Sequence, residues 1–423
     1  MASLSDNASS AALSLADRYR ETRQLSVDLV AGLSDADATA QSMPDASPAK
    51  WHLAHVSWFF ETFILRDHVP GYQLFHERWP FLFNSYYEAE GPRIERPKRG
   101  LLTRPSLREV IAYRSWVDEA LTGALDRLAP DQLALVELGI HHEQQHQELL
   151  LTDLKHLLHC NPLGPSAWPR PAPCPHGSVE VAPMRWHRHE GGLISVGHDG
   201  QGFAFDNEGP RHQVFLRPFA LADRPVTNGE WLSFIEDRGY ATPNLWLSDG
   251  WSWVNAEEVE GPLYWRRTDG EWEQFTLSGW QPLDRSAPVT HISFYEADAF
   301  ASWAGARLPT EQEWELASSS HDPASGVQLD AAGAVGPCAD RSGAPSMFGN
   351  VWEWTGSAYR PYPGFRTAPG AVGEYNGKFM SGQLVLKGGS CATPRGHLRR
   401  SYRNFFYPHQ RWQFTGLRLA KDI

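Results

Sequence analysis

Apolar residues in the first 160 residues of the chain recur every three or four positions, which is the spacing of one face of an α-helix. The pattern predicts four helices: over about Ala11–Leu33, from Ser47-Pro48 onward, from Ser106 onward, and over about Asp131–His159. Ser47 is predicted to cap the second helix ahead of a proline at the first helical position, and Glu109 completes a capping box with Ser106. Four amphipathic helices predict a helical bundle.

The connection between the second and third predicted helices, Val69–Pro105, is unusually long for a compact domain. It contains Tyr86 and Tyr87 and several arginines. Because the segment is rich in aromatic residues, we expect it to be ordered and to serve the function of the protein.

The pattern changes after a segment with seven prolines between Asn161 and Pro183, which predicts a linker. Beyond it, short apolar runs alternate with turn residues, and helical spacing returns only over Asn228–Arg238, over Ser293–Ala304 and after the capping pair Thr310 and Glu313. We therefore predict an α plus α+β protein, with a helical bundle over 1–160, a proline-rich linker over 161–183 and a loop-rich α+β domain over 184–423.

Composition narrows the class of protein. The 423 residues suffice for two or three domains, and a net charge of −12 argues against a nucleic-acid-binding surface. The start of the chain lacks the basic and apolar regions of a signal peptide, and no apolar run is long enough to span a membrane. Four scattered cysteines without a C-x-x-C pair suit a reducing compartment, so we expect a cytoplasmic protein.

Two histidines on the fourth helix are the strongest chemical signal. His142 and His146 lie one turn apart on a face that is otherwise apolar, so both rings can reach one metal ion. His55 lies on the apolar face of the second helix and offers a third imidazole, although packing alone would also explain it. Three histidine ligands leave coordination positions open for O₂ and a thiol, and non-haem iron(II) sites have this arrangement of three protein ligands with open positions. We predict that His55, His142 and His146 bind Fe(II).

The same segment matches the zinc-protease pattern H-E-x-x-H, which is the competing interpretation. The extended form of that pattern requires a glycine and a further histidine, where this chain carries Leu149 and Thr152. We therefore do not expect a protease.

Longer motifs resemble known families. Trp51-His52-Leu53-Ala54-His55 together with His142–Glu148 resembles the DinB-like bundle of the sulfoxide synthases of ergothioneine biosynthesis. The second half resembles the formylglycine-generating-enzyme (FGE-sulfatase) fold, which is related to C-type lectins. The motifs that carry this second resemblance are Arg307–Glu315, Gly349–Trp354, Lys387–Ser390 and Gly416–Ala420. The paired cysteines of formylglycine generators are missing from Leu398–Phe406, which fits substrate binding better than copper–thiol chemistry.

The resemblance implies an enzyme that joins hercynine (Nα-trimethylhistidine) and a thiol with O₂ to give a sulfoxide. Relatives that use γ-glutamylcysteine follow the asparagine with Trp-Asp and carry a later arginine, whereas this chain has Asn404-Phe405-Phe406 and Gln410. Together with Asn84-Ser85-Tyr86-Tyr87, this resembles the subtype that uses free cysteine, with hercynylcysteine sulfoxide as the product.

Roles follow from the chemistry of each substrate. Tyr87, with Tyr86 as the second choice, is predicted to donate the proton that favours C–S coupling over oxidation of the thiol. Arg96, or else Arg93 or Arg99, should hold the cysteine carboxylate, since a guanidinium matches it.

The trimethylammonium group cannot donate a hydrogen bond and needs aromatic faces and oxygen dipoles. The residues predicted to hold hercynine are Gln145, which would orient the imidazole, and Asn404, Phe405, Phe406 and Trp412. Because ligand sites favour domain interfaces, we expect the site between the two halves.

Two alternatives remain from the sequence. A selenoneine synthase or an ovothiol-type enzyme that uses unmethylated histidine would share the metal site. A lectin-like binding module would have no activity at all, because a fold does not determine function.

Overall fold

The computed structural model describes residues 13–171, 182–339, 346–367, 373 and 376–423. Its first part is helical, and α3 continues as a π-helical turn over Glu61–Arg66. α3 packs against α5, α6 and α1, and α1 also packs against α6, which makes a bundle. The helices are α1 (Leu15–Val30), α2 (Asp35–Thr39), α3 (Ala49–Phe60), α4 (Trp79–Phe83), α5 (Leu107–Ala124) and α6 (Pro130–Cys160).

The helix α3 is the centre of this bundle, since all its residues are buried. At α5 the predicted capping box is confirmed, because Ser106 and Glu109 exchange side-chain and backbone hydrogen bonds. At α3 the predicted cap is wrong: Pro48 is the N-cap residue, and no side chain caps the helix. The hydroxyl of Ser47 instead accepts a hydrogen bond from Arg99 at 2.8 Å, because a buried guanidinium needs acceptors.

The long connection before α5 is ordered, as expected. It contains α4 and two 3₁₀ turns, Glu88–Glu90 and Arg96–Leu101. The side chain of Asn84 holds the turn that follows α4, since its amide donates to the carbonyl of Tyr87 at 3.0 Å and its oxygen accepts from the Tyr87 N–H at 3.2 Å.

The second part consists of small sheets joined by helices and loops. Its helices are α7 (Asn228–Glu236), α8 (Ser248–Ala256), α9 (Phe294–Trp303) and α10 (Glu311–Ala317). Its strands are β1 (Trp186–His189), β2 (Gly192–Val196), β3 (His212–Leu216), β4 (Phe219–Ala222), β5 (Trp265–Thr268), β6 (Glu271–Thr276), β7 (Gly279–Pro282), β8 (Trp352–Ala358), β9 (Leu384–Lys387), β10 (Asn404–Phe406), β11 (Thr415–Leu417) and β12 (Ala420–Asp422).

One of these sheets carries β10, the strand with the predicted substrate residues. Its order is β10-β9-β8-β11, with β10 antiparallel to β9 so that Asn404 lies opposite Leu386. A second sheet has the order β1-β4-β12, while β2-β3 and β5-β6-β7 form smaller ones. The predicted capping pair Thr310 and Glu313 begins α10 as expected.

The predicted architecture, a helical bundle followed by an α+β domain, is confirmed. Residues 172–181 of the predicted linker, including Cys174, lie outside the described residues, so the domain boundaries stay a prediction. Within the described part of the chain, no helix combines the length and apolarity needed to cross a bilayer.

Candidate metal centre

Three histidines meet where α3 crosses α6. His55 from α3 and His142 and His146 from α6 each offer a ring nitrogen, and these atoms lie within 4.8 Å of one another. The ring centroids are separated by 4.7 to 5.0 Å. The structure therefore brings together the residues that the sequence predicted as metal ligands.

The protonation of these rings fits a metal ion. The Nδ1 of His55 lies 2.6 Å from the carbonyl oxygen of Phe83, which can only accept, so Nδ1 carries the proton and Nε2 carries the lone pair. That Nε2 is buried and has no hydrogen-bond partner among the described residues. Burial lowers the pKa of His55 and His146 and lowers the pKa of His142 to about 3. Neutral imidazoles whose ring nitrogens lie this close together are what a metal ion requires.

Glu143, the glutamate of the H-E-x-x-H pattern, serves the bundle and not the metal centre. Its carboxylate accepts from Arg114 at 2.7 Å, from Arg23 at 2.9 Å and from Ser26 at 2.6 Å in the buried core. Burial alone would raise the pKa of Glu143, but Arg114 and Arg23 lower it to about 2. A carboxylate held in this way cannot act as the base of a zinc protease.

A cavity of about 330 Å³ opens beside His142 and His146, between the bundle and the C-terminal domain. This volume is in the range of small-molecule sites, which often lie at domain interfaces. The other predicted site residues on its wall are Tyr86, Arg96, Gln145, Asn404, Phe405, Phe406 and Trp412.

Besides His55, two predicted site residues do not line this cavity. Tyr87 is buried behind Tyr86, with ring centroids 4.8 Å apart. Its ring also packs against Trp58, which stacks on His55. Arg93 forms an ion pair of 2.5 Å with Glu88. The structure therefore places Tyr87 near His55 and separates Arg93 from the cavity.

Arg99, which the sequence ranked behind Arg96, is built into the cavity wall. Its guanidinium lies 3.3 Å from the ring centroid of Trp51 and donates to the hydroxyls of Ser47 and Ser85 at 2.8 and 3.0 Å. The side chain is almost fully buried, and burial together with the neighbouring Arg96 lowers its pKa. Within the described residues, its guanidinium forms no ion pair with a carboxylate.

Sequence reasoning did not identify Tyr402 and Asp153, two residues that connect the two halves at this cavity. The amide of Gln145 donates to the hydroxyl of Tyr402 at 2.7 Å. Asp153 accepts from the indole of Trp412 at 3.3 Å. The signal for Asp153 was present, since it lies seven residues after His146 and therefore on the same face of α6.

Comparisons with known proteins agree with both halves. Residues 187–335 and 328–423 match the sulfatase-modifying factor enzyme 1-like domain, and residues 18–150 match the DinB superfamily. The chain is 35% identical to a hercynine oxygenase of Mycolicibacterium smegmatis over 97% of the chain and 99% of that protein. It is also 35% identical to a hercynine oxygenase of Mycobacterium tuberculosis, over 92% of the chain and 94% of that protein. Ergothioneine biosynthesis protein 1 of Schizosaccharomyces pombe is 30% identical over 52% of the chain and 28% of its own length.

Proposed function

The chain belongs to the hercynine oxygenase family of iron-dependent oxidoreductases, and on this premise we propose that it joins the sulfur of free cysteine to the imidazole of hercynine. The oxidant is O₂. A C–H and an S–H bond break, a C–S bond forms, one oxygen atom becomes the sulfoxide oxygen and the other leaves as water.

The convergence of three neutral imidazoles beside an interdomain cavity carries this proposal. Iron(II) held by His55, His142 and His146 would supply the electron transfer to O₂ that the organic substrates do not undergo on their own. The remaining requirements are to bind two amino acids side by side and to deliver a proton, and residues of this chain are placed for each.

Hercynine would occupy the side of the cavity formed by β10. Phe405 is held in place by stacking on Tyr359 at 4.1 Å, and Phe406 and Trp412 present further aromatic surface. Aromatic faces attract a quaternary ammonium group without any hydrogen bond, and the side-chain oxygen of Asn404 adds a dipole. Because the amide NH₂ of Gln145 donates to Tyr402, its carbonyl oxygen is the group that would accept the imidazole N–H.

The cysteine carboxylate would bind to Arg99, with Arg96 beside it. A carboxylate on Arg99 would compensate a buried charge whose hydrogen-bond acceptors among the described residues are the hydroxyls of Ser47 and Ser85. Arg93 is a weaker candidate because Glu88 already holds it. Gln410 supports free cysteine over γ-glutamylcysteine, because it accepts the backbone N–H of Tyr407 where the dipeptide-using relatives carry an arginine.

Tyr87 is proposed as the proton donor, with Tyr86 as the second candidate. Tyr87 packs against Trp58, a neighbour of His55, and against Phe59, a neighbour of His142, so its phenol lies beside the metal ligands. A phenol can donate a proton without carrying charge, and the coupling reaction needs such a donor to compete with oxidation of the thiol to a sulfinate.

The proposal is tested by loading the protein anaerobically with Fe(II) and adding hercynine with one thiol, followed by O₂ and mass analysis of the products. We expect hercynylcysteine sulfoxide from cysteine and a kcat/KM at least about tenfold lower with γ-glutamylcysteine. Preference for γ-glutamylcysteine would reject free cysteine as the thiol. Preference for unmethylated histidine would indicate an ovothiol-type enzyme, and preference for a selenium donor would indicate a selenoneine synthase.

A further inference from the structure

A second histidine of α3 contacts a metal ligand. The Nδ1 of His52 lies 2.8 Å from the Nδ1 of His146, and the Nε2 of His52 lies 3.1 Å from Oδ2 of Asp153. His52 and Asp153 are both buried, with 3% and 6% of their surface exposed. A carboxylate, an imidazole and a proposed metal ligand therefore form one line of hydrogen bonds inside the protein.

The hydrogen bonds of Asp153 determine which ring nitrogens carry protons. Its Oδ2 also accepts the backbone N–H of Ser47 at 2.8 Å, and its Oδ1 accepts the indole N–H of Trp412 at 3.3 Å. A carboxylate that receives donors on both oxygens is an acceptor, so the proton between Asp153 and His52 belongs to Nε2 of His52.

The remaining protons follow from that assignment. The Nε2–H tautomer of His52 has a lone pair on Nδ1, so the contact between the two Nδ1 atoms then requires a proton on Nδ1 of His146. With Nδ1 of His146 protonated, its Nε2 holds the lone pair that a metal ion would use. The backbone carbonyl of Phe83 imposes the same tautomer on His55.

We propose that His52 and Asp153 are positioning residues that set the tautomer and ring orientation of His146 and thereby strengthen metal binding. The inference rests on the proposed metal site formed by His55, His142 and His146. Partners behind a metal-bound histidine typically change metal affinity by about 10- to 100-fold. Because Asp153 also holds Trp412 on the cavity wall, the same carboxylate links the metal ligand to the C-terminal domain.

Metal affinity in the absence of substrates tests this role without reference to catalysis. The full chain and its variants are titrated with Fe(II) under anaerobic conditions against a chromophoric chelator, and the absorption spectrum of the Co(II) form is recorded. His52→Phe removes the acceptor of the His146 proton and should weaken Fe(II) binding about 10- to 100-fold. His52→Asn keeps an oxygen near the position of Nδ1 and should restore part of the affinity.

The control is His156→Phe, which removes a half-buried histidine of α6 whose Nδ1 contacts the hydroxyl of Ser42. It should bind Fe(II) like the unsubstituted protein. Equal loss of Fe(II) affinity in the two phenylalanine variants would assign the effect to general packing of the helical bundle and overturn the proposal. Unchanged affinity in His52→Phe would also overturn it.

A measurement on the unsubstituted protein does not depend on the variants folding. Ring ¹⁵N spectra of the Zn(II)-loaded protein should show His52 protonated at Nε2 and His146 protonated at Nδ1. A His52 ring protonated at Nδ1 would overturn the proposal. Neither measurement involves a substrate. If both give the expected results while hercynine is not converted, the positioning role of His52 and Asp153 stands and only the proposed reaction fails.

Discussion

The carboxylate of Glu148 accepts a hydrogen bond of 2.8 Å from the indole N–H of Trp352, across the interface between the bundle and the C-terminal domain. The hydroxyls of Ser390 and Thr393 donate to the same carboxylate. Glu148 lies two residues after His146 on α6. The helix that carries two of the proposed metal ligands is therefore tied to the domain that forms the opposite wall of the cavity.

Replacing Glu148 by leucine should loosen this attachment. Glu148→Leu leaves three donors without an acceptor, and we expect the free energy of unfolding to fall by about 2–4 kcal/mol, as measured by urea denaturation. Glu148→Gln keeps an acceptor and should lose less. Glu137→Leu is the control on the same helix: its ion pair with Arg18 is about one-third exposed, so it should lose no more than about 1 kcal/mol. Equal losses at the two positions would contradict the special role of Glu148.

Removing the Arg99 guanidinium should affect cysteine more than hercynine. Hydrogen bonds to a charged group contribute about 1.5–3 kcal/mol, so Arg99→Met should lower kcat/KM for cysteine by about 10- to 100-fold, with a much smaller change in KM for hercynine. Steady-state kinetics in which each substrate is varied at a saturating concentration of the other measure both constants. Lys98→Met, in the same 3₁₀ turn, removes a cation whose partner is the exposed Glu95 and should have no effect. A larger loss in Arg93→Met would move the carboxylate site to Arg93.

The helical half was predictable because its signals are local. A capping box such as Ser106 with Glu109 is contained in four residues, and the spacing of His142 and His146 is one helical turn, so both can be read from a short segment. The convergence of His55 with them needed only the expectation that buried faces of neighbouring helices meet.

The wall of the cavity was less predictable because it depends on contacts between distant segments. Arg99 is 52 residues from Ser47 in sequence, and Tyr402 is 257 residues from Gln145. The wrong prediction that Ser47 caps α3 has the same cause. The capping rule considers only neighbouring residues, whereas the hydroxyl of Ser47 accepts a hydrogen bond from Arg99, which is distant in sequence. The family resemblance supplied Asn404 and Phe406, but their strand pairing with β9 came only from the structure.

Lys155 makes the stability of the protein depend on pH. It is buried on α6, lies 2.6 Å from Nε2 of His291, and burial lowers its pKa to about 7. In the unfolded chain a lysine keeps its proton to about pH 10.4. Between about pH 7 and pH 10 the unfolded state therefore binds more protons, and the free energy of unfolding rises with pH by about 1.4 kcal/mol per unit from this residue.

The variant Lys155→Met removes that dependence. It should be more stable than the unsubstituted protein at pH 7, and the difference should shrink steadily towards pH 10. Thermal unfolding followed at intervals of half a pH unit measures both curves. As a control, Lys98→Met alters an exposed lysine, and its stability should differ from that of the unsubstituted protein by the same amount at every pH. A constant difference for Lys155→Met as well would mean that Lys155 stays charged in the folded protein.

Tyr87→Phe should change the product of the reaction while the protein continues to consume O₂. The reaction can proceed by coupling of sulfur to the imidazole carbon or by oxidation of the thiol to cysteine sulfinate, and a difference of about 1.4 kcal/mol between the two barriers changes their ratio tenfold. A phenol that donates a proton lowers only the coupling barrier. Phenylalanine keeps the ring that packs against Trp58 and Phe63, so iron binding and the cavity should be preserved.

Measuring sulfoxide and sulfinate against the O₂ consumed separates the two tyrosines. We expect the Tyr87→Phe variant to form more sulfinate and less sulfoxide, and the Tyr86→Phe variant to show a weaker shift. The reason is that the ring of Tyr87 packs against Trp58, a neighbour of His55, whereas the ring of Tyr86 packs against Tyr87 and Phe379. The reverse order would assign the proton to Tyr86, whose ring lines the cavity. An unchanged product ratio in the double variant would exclude both phenols, and the proton would then have to come from water or from another cavity residue such as Tyr402.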